Sequence, residues 1–286
     1  MASHFAFEAI GTHWQIDIYE ALSSAQESVL LLLIRERIEL FEKTYSRFRA
    51  DSIVTKISQQ AGEYTLPQDA EPMLSLYHDL YTLTGGLFTP FMGQVLADAG
   101  YDATYSLQQS RPLTAPPQWD EVMSYVPPVL EVKKPFLFDF GAAGKGYLID
   151  IVGELLQEQG IKAFCVDAGG DILHRNIEPL RVGLEHPDVP TQVIGVVELQ
   201  NKSLCGSAGN RRKWGDFHHI INPQKLSSPT DIIAIWVMAD STILADAIAT
   251  CLFFVQHGML SKYQFEYLLV RADYSIEQSD GFLMLQ

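Results

Sequence analysis

Apolar and polar positions along the chain repeat with two periods. Over residues 12–19 they alternate, with Trp14, Ile16 and Ile18 on one side and His13, Gln15 and Asp17 on the other. That pattern predicts a half-buried strand. Over about residues 23–48 the spacing is helical, and Val29, Leu32, Leu33, Ile38, Leu40 and Phe41 are the expected apolar side. Asp51 or Ser52 is suited to cap a short helix through Ile57. Another helix is predicted over 71–85, ending at Gly85-Gly86. Residues 106–119, rich in Pro, Ser and Gln, read as an exposed loop. The second half predicts strands over 163–166, 180–184, 193–197 and 232–237. Helices over 242–255 and 261–267 follow, then strands over 268–271 and 282–285. Strands and helices mix without strict alternation, so the expected class is α+β. No linker marks a boundary, which predicts one domain over 1–286 or two intimately packed subdomains.

Residues 136–150 combine a strand pattern, a glycine-rich turn and a helix start. Phe136, Phe138 and Phe140 alternate with Leu137 and Asp139, as in a strand covered on both faces. Gly141, Ala142, Ala143, Gly144 and Gly146 then let the backbone approach something closely. Leu148, Ile151, Val152, Leu155 and Leu156 fall at helical spacing, and Gly160 is placed to end that helix. Such a turn offers backbone N–H groups to an anion, with Lys145 as a cation and Asp139 as a carboxylate. It is equally a tight turn with a surface lysine, being neither a Walker A loop nor a G-x-G-x-x-G.

Composition narrows the partners. A formal charge of −15 argues against a nucleic-acid partner and means a bound polyanion needs local cations or a metal. Cys165, Cys205 and Cys251 form neither a disulfide framework nor a metal pair, and free buried thiols are expected. The first ten residues carry no basic region and no long apolar run, and no apolar stretch is long enough to span a bilayer. A soluble, cytoplasmic protein without a membrane partner is expected.

Several polar constellations remain. Asp167-Ala-Gly-Gly-Asp171 is a second glycine turn, which a type II turn also explains. Ser207–Arg212 carries paired arginines that could neutralise phosphate or simply be solvated. His218 and His219 are adjacent in an extended segment, so only one can face a given site. Asp246 and Thr250 are i and i+4 on one helix face. With a backbone carbonyl from a glycine-rich turn they make an all-oxygen set of the kind Mg²⁺ takes. The same aspartate could instead be held by a local hydrogen bond.

Taken in order, nine segments resemble the ApbE family, the FAD:protein FMN transferases. They are Ile10-Gly-Thr-His-Trp14, Tyr45-Ser-Arg-Phe-Arg-Ala-Asp-Ser52, the Thr84-to-Gly93 segment, Asp139-Phe-Gly-Ala-Ala-Gly-Lys-Gly-Tyr147, Gly169-Gly-Asp-Ile172, Arg181-Val-Gly-Leu184, Gly206-Ser-Ala-Gly209, His218-His-Ile-Ile-Asn-Pro223 and Ala245-Asp-Ala-Ile-Ala-Thr250. The resemblance implies an α+β, T-fold-related architecture of mixed sheets flanked by helices, with FAD in a central cleft. It implies Mg²⁺-dependent transfer of FMN from FAD to a threonine, or serine, of a target flavoprotein, with AMP leaving. Mn²⁺ is the other metal such a set accepts. The metal ligands implied are the Ala142 carbonyl, Asp246 and Thr250. Ile10, Phe48, Gly100, Tyr101, Asp139, Lys145 and Ile221 match FAD-lining positions. His219 matches the histidine that assists proton transfer, and Asp139 is implied beside it as a catalytic carboxylate. The chain departs from the family pattern at Thr89, at Asn222 (usually Asp), at Gln224-Lys225-Leu226, and in reading Gly-Ala-Ala-Gly before the lysine. It has no lipobox cysteine. The rival readings are an FAD pyrophosphatase, with water as acceptor, and a non-catalytic FAD-binding protein.

Overall fold

The computed structural model describes residues 3–210 and 212–285. Its centre is a sheet of eight strands, Ser3–Ala9, Thr12–Ile18, Phe164–Ala168, Asp171–Arg175, Ser203–Ala208, Ile232–Ala239, Glu266–Arg271 and Ile276–Gln278. They lie across the sheet in that order, and every neighbouring pair is antiparallel. The sheet is therefore a meander into which helices are inserted. Residues 19–163 enter between the second and third strands and bring the helices Ser24–Tyr45, Ala70–Leu83 and Gly144–Glu158. The helix Thr242–Cys251 enters after the sixth strand.

Alternation along the strands decides what each face meets. Trp14, Ile16, Ile18, Val166, Leu173, Cys205, Ile235 and Val237 join the helix residues Ile34, Ile38, Leu148, Val152 and Ile248 in the larger core. Cys165, Ile172, Leu204, Ala234, Leu268 and Val270 point the other way. They are covered by Leu184, Val197 and Leu199 of the antiparallel hairpin Leu180–Glu185 with Val193–Leu199. The three cysteines are free and buried. Among the described residues no helix is long and apolar enough to cross a membrane.

Two hairpin turns carry the sheet to one end of the molecule. Ala9 pairs with Thr12 around Ile10 and Gly11, at φ +47° and +73°. Ala168 pairs with Asp171 around Gly169 and Gly170, at φ +64° and +92°. Positive φ at both central residues makes each a type I′ turn, so the second is not type II. A Cβ on Gly169 would lie 2.2 Å from Thr12 Oγ1, so the two turns abut and only glycine fits there.

Four local expectations change. Residues 136–140 form no strand, because no ladder partner flanks them. They run extended, and Phe136, Phe138 and Phe140 pack ring on ring (4.6 and 4.8 Å between centroids) and against Phe91. On the Ser24–Tyr45 helix, capped by Ser23, the buried side is Leu30, Ile34, Ile38, Phe41 and Tyr45. Val29, Leu32 and Leu40 are exposed. Residues 261–267 are not a helix; the chain turns there after the 3₁₀ turn His257–Leu260 and enters the strand Glu266–Arg271. Residues 282–285 make only an isolated bridge, Val197 with Met284.

Candidate functional site

The two hairpin turns, the 139–145 turn and the Thr242–Cys251 helix converge on a cleft of about 460 Å³. Ile10, Phe48, Tyr101, Asp139, Lys145 and Ile221 line it. So do Ala142, His219, Asp246 and Thr250. Gly100 does not. At φ +113° it ends the Gly93–Ala99 helix and its carbonyl accepts Leu107 N–H at 2.8 Å, so it sets the entry of Tyr101.

Aromatic rings build one side of the cleft. Phe48 and Tyr105 stack nearly parallel, 5° apart in plane with centroids 5.3 Å apart. Tyr101 meets both edge-on and stacks on Trp214 at 5.7 Å. The Arg47 guanidinium lies 4.1 Å over the Phe48 ring. Its Nε pairs with Asp139 Oδ2, and its Nη2 donates to the Tyr101 carbonyl at 2.8 Å. Asp139 Oδ1 accepts Gly141 N–H at 2.8 Å. Arg212 Nη1 donates to the Tyr101 hydroxyl at 3.1 Å. Arg211, the other half of the arginine pair, lies outside the described residues.

Two helices present the remaining chemistry, and each caps the other. The Gly144–Glu158 helix has no side-chain cap of its own, and neither has Thr242–Cys251. Asp246 Oδ2 accepts Gly146 N–H at 2.9 Å, while Asp150 accepts Thr242 N–H at 2.8 Å and Ile243 N–H at 2.7 Å. The helices approach closely enough that a Cβ on Gly146 would lie 2.3 Å from the Thr242 carbonyl. Burial raises the Asp246 carboxyl, opposed by Lys145, by the Gly146 N–H and by Arg212. Lys145 in turn pairs with buried Asp171, whose other oxygen accepts Gly206 N–H at 3.1 Å.

This narrows the turn as an anion cradle. The N–H groups of Gly141, Ala143, Gly144 and Gly146 all have acceptors within the protein. A regular helix would return Gly146 N–H to the Ala142 carbonyl. Asp246 diverts it and so releases that carbonyl at the cleft wall. Ala142 O, the Asp246 carboxylate and the Thr250 hydroxyl are hard donors and fit a hard cation. Among the described residues no three His, Cys, Asp or Glu side chains gather to hold a metal, so such an ion would take further oxygens from water and ligand.

The histidines divide as adjacency requires. His218 is buried. Its Nδ1 accepts Ile220 N–H at 3.2 Å, so Nε2 carries the proton and donates to the Pro229 carbonyl at 3.0 Å. Burial lowers its pKa, and it stays neutral. His219 faces the cleft. The departure at Asn222 lies off the cleft: its Oδ1 accepts Gln224 and Lys225 N–H, both at 2.9 Å, as an aspartate would. Thr89 lines the cleft and caps the 3₁₀ turn at Phe91 N–H.

The overall architecture is that of a flavin transferase fold. The flavin transferase ApbE from Vibrio cholerae superposes with a TM-score of 0.83 at 20% identity, over 99% of this chain and 98% of that one. Sequence carries the likeness to family level: the ApbE family model matches residues 10–264, and the chain belongs to that family. The FAD:protein FMN transferase of Vibrio cholerae is 22% identical over 271 residues, 86% of this chain and 79% of that protein. The Rhodobacter capsulatus protein of the same name is 26% identical over 195 residues, 63% of this chain. The aligned segment spans 37% of that longer relative.

Proposed function

We propose that this protein transfers FMN from FAD to a threonine, or serine, hydroxyl of a target flavoprotein, with Mg²⁺, or Mn²⁺ in its place. The observation that carries the reading is one cleft holding a stacked aromatic wall, cations and a set of hard oxygen donors. The names of the relatives agree with it.

In this reading the flavin lies against the Phe48, Tyr101 and Tyr105 side of the cleft, and the pyrophosphate lies toward Lys145 and the oxygen donors. The acceptor hydroxyl attacks the FMN phosphorus, the bond to the bridging oxygen breaks, and AMP leaves with that oxygen. His219 takes the hydroxyl proton, the task an imidazole suits near neutrality. Asp139 holds Arg47 against the aromatic wall rather than reacting itself. Asp171 fixes the Lys145 ammonium. Ala142, Asp246 and Thr250 would hold the Mg²⁺, which when bound offsets pyrophosphate charge in the transition state.

The test is AMP release from FAD with Mg²⁺, with and without a carrier protein bearing a flavinylation threonine. AMP together with flavin covalently on that threonine is expected. AMP with only free FMN would make it a pyrophosphatase, and bound FAD without AMP a binding protein.

A further inference from the structure

Tyr105 closes part of the cleft in this structure. Its ring lies parallel to Phe48 at 5.3 Å between centroids and meets Tyr101 edge-on at 5.4 Å. From that wall it reaches toward the Ile10–Gly11 turn: a Cβ on Gly11 would stand 3.9 Å from its hydroxyl. Phe48, Tyr105 and Gly11 all line the cleft. Tyr105 therefore spans from the aromatic side of the cleft to the sheet side.

A planar ligand can lie on Phe48 only by displacing what already lies there. Stacked rings are in van der Waals contact, and no third ring fits between them. Arg47 lies 4.1 Å over the Phe48 centroid, and Tyr105 lies parallel to the ring. The two are held differently. The Arg47 side chain is 3% exposed, pairs with Asp139 and donates to the Tyr101 carbonyl. Tyr101, edge-on to Phe48, is also buried. Tyr105 is 51% exposed, so it is the group that yields. Its backbone is pinned on both sides. Asp102 Oδ1 accepts Thr104 N–H at 2.8 Å and Ser106 N–H at 3.1 Å, and Leu107 N–H donates to the Gly100 carbonyl at 2.8 Å. The movement open to Tyr105 is thus a rotation of its side chain, which exposed residues make readily.

We propose that Tyr105 is the movable half of a ring clamp: its ring leaves Phe48 to admit the isoalloxazine of FAD, then closes on the outer face of the flavin, with Phe48 on the inner face. This rests on the flavin reading proposed above. It adds to that reading a residue that must move and a selection for a broad flat ring system.

The experiment compares wild type, Tyr105→Phe and Tyr105→Leu, with the fold followed by circular dichroism. Binding of FAD and of ADP, each with Mg²⁺, is measured by calorimetry, and FAD association by stopped-flow flavin fluorescence. Tyr105→Phe keeps the ring and is expected to bind FAD as wild type does. Tyr105→Leu is expected to bind FAD about tenfold more weakly, the worth of one stacked ring, with ADP unchanged. It is also expected to take up FAD about threefold faster, since no ring has to leave Phe48 first. Wild-type or tighter FAD affinity in Tyr105→Leu overturns the clamp, and so does an equal loss for ADP, which carries no flavin. Weaker binding with an unchanged association rate overturns the movement, and the proposal with it. Each of these leaves the flavin reading standing. FAD that fails to bind wild type removes that reading and the clamp together.

Discussion

Ile10 stands at φ +47°, a conformation that a β-branched side chain resists. The first position of a type I′ turn favours asparagine or glycine. An isoleucine there costs on the order of 1–2 kcal/mol, and such strain persists where the side chain is needed. Ile10 lines the cleft, so the contact is what the strain supports. We expect Ile10→Asn to raise stability in urea unfolding by about 1 kcal/mol while weakening FAD binding measured by flavin fluorescence. Unchanged FAD affinity in a stabilised variant would detach the strain from the ligand. At this scale the cleft lining was legible where one residue type points to a chemistry, and His219 and Asp246 both line the cleft. It was not legible where the chemistry is a distant pairing. Arg47 reaches Asp139 across 92 positions and Arg212 reaches Tyr101 across 111, and no local pattern announces either.

Elements were read well where the pattern has one solution. The strand Thr12–Ile18 alternates cleanly, and the Ala70–Leu83 helix ends before Gly85-Gly86 as expected. The Ser24–Tyr45 helix lies within the expected span and buries Ile38 and Phe41 of its expected apolar side, but Val29, Leu32 and Leu40 are exposed, because residues 29–34 are apolar on every side. Packing chose the side that continues into Phe41 and Tyr45. The reciprocal capping of the two site helices was not legible, since each helix begins without a side-chain cap and borrows one from the other. Asp150 gives this pairing a pH signature. Its partial burial pushes the carboxyl up to about 6, above an unfolded value near 3.9. The native state thus binds the proton more tightly than the unfolded chain does. That contribution is fully present below about pH 4 and is lost as pH rises through about 6. Urea unfolding of wild type and Asp150→Asn across pH 4–7 checks it. The stability difference, wild type minus variant, should fall with rising pH by on the order of 2 kcal/mol. A flat difference would mean that Asp150 titrates normally.

For the whole molecule, charge sets the problem that the cleft must solve. The chain carries −15 formally, a field that repels the pyrophosphate of FAD. The cleft does not reverse it locally: Arg47, Lys145 and Arg212 line it, but so do Glu42, Asp139 and Asp246. Two of the three cations are already paired, Arg47 with Asp139 and Lys145 with Asp171. A divalent ion on the oxygen donors would supply the charge that the side chains lack. It follows that chelation with EDTA should weaken FAD binding. It should also invert the usual response to salt. In EDTA, raising ionic strength from about 0.01 M to about 0.1 M shortens the Debye length from about 30 Å to about 10 Å and screens the distant carboxylates more than the adjacent cations. FAD affinity, followed by fluorescence quenching, is then expected to rise with salt in EDTA and to change little or fall with Mg²⁺ present. Affinity that falls with salt in EDTA would mean that the paired cations alone hold the pyrophosphate, and the case for a divalent ion would then rest on the donor set by itself.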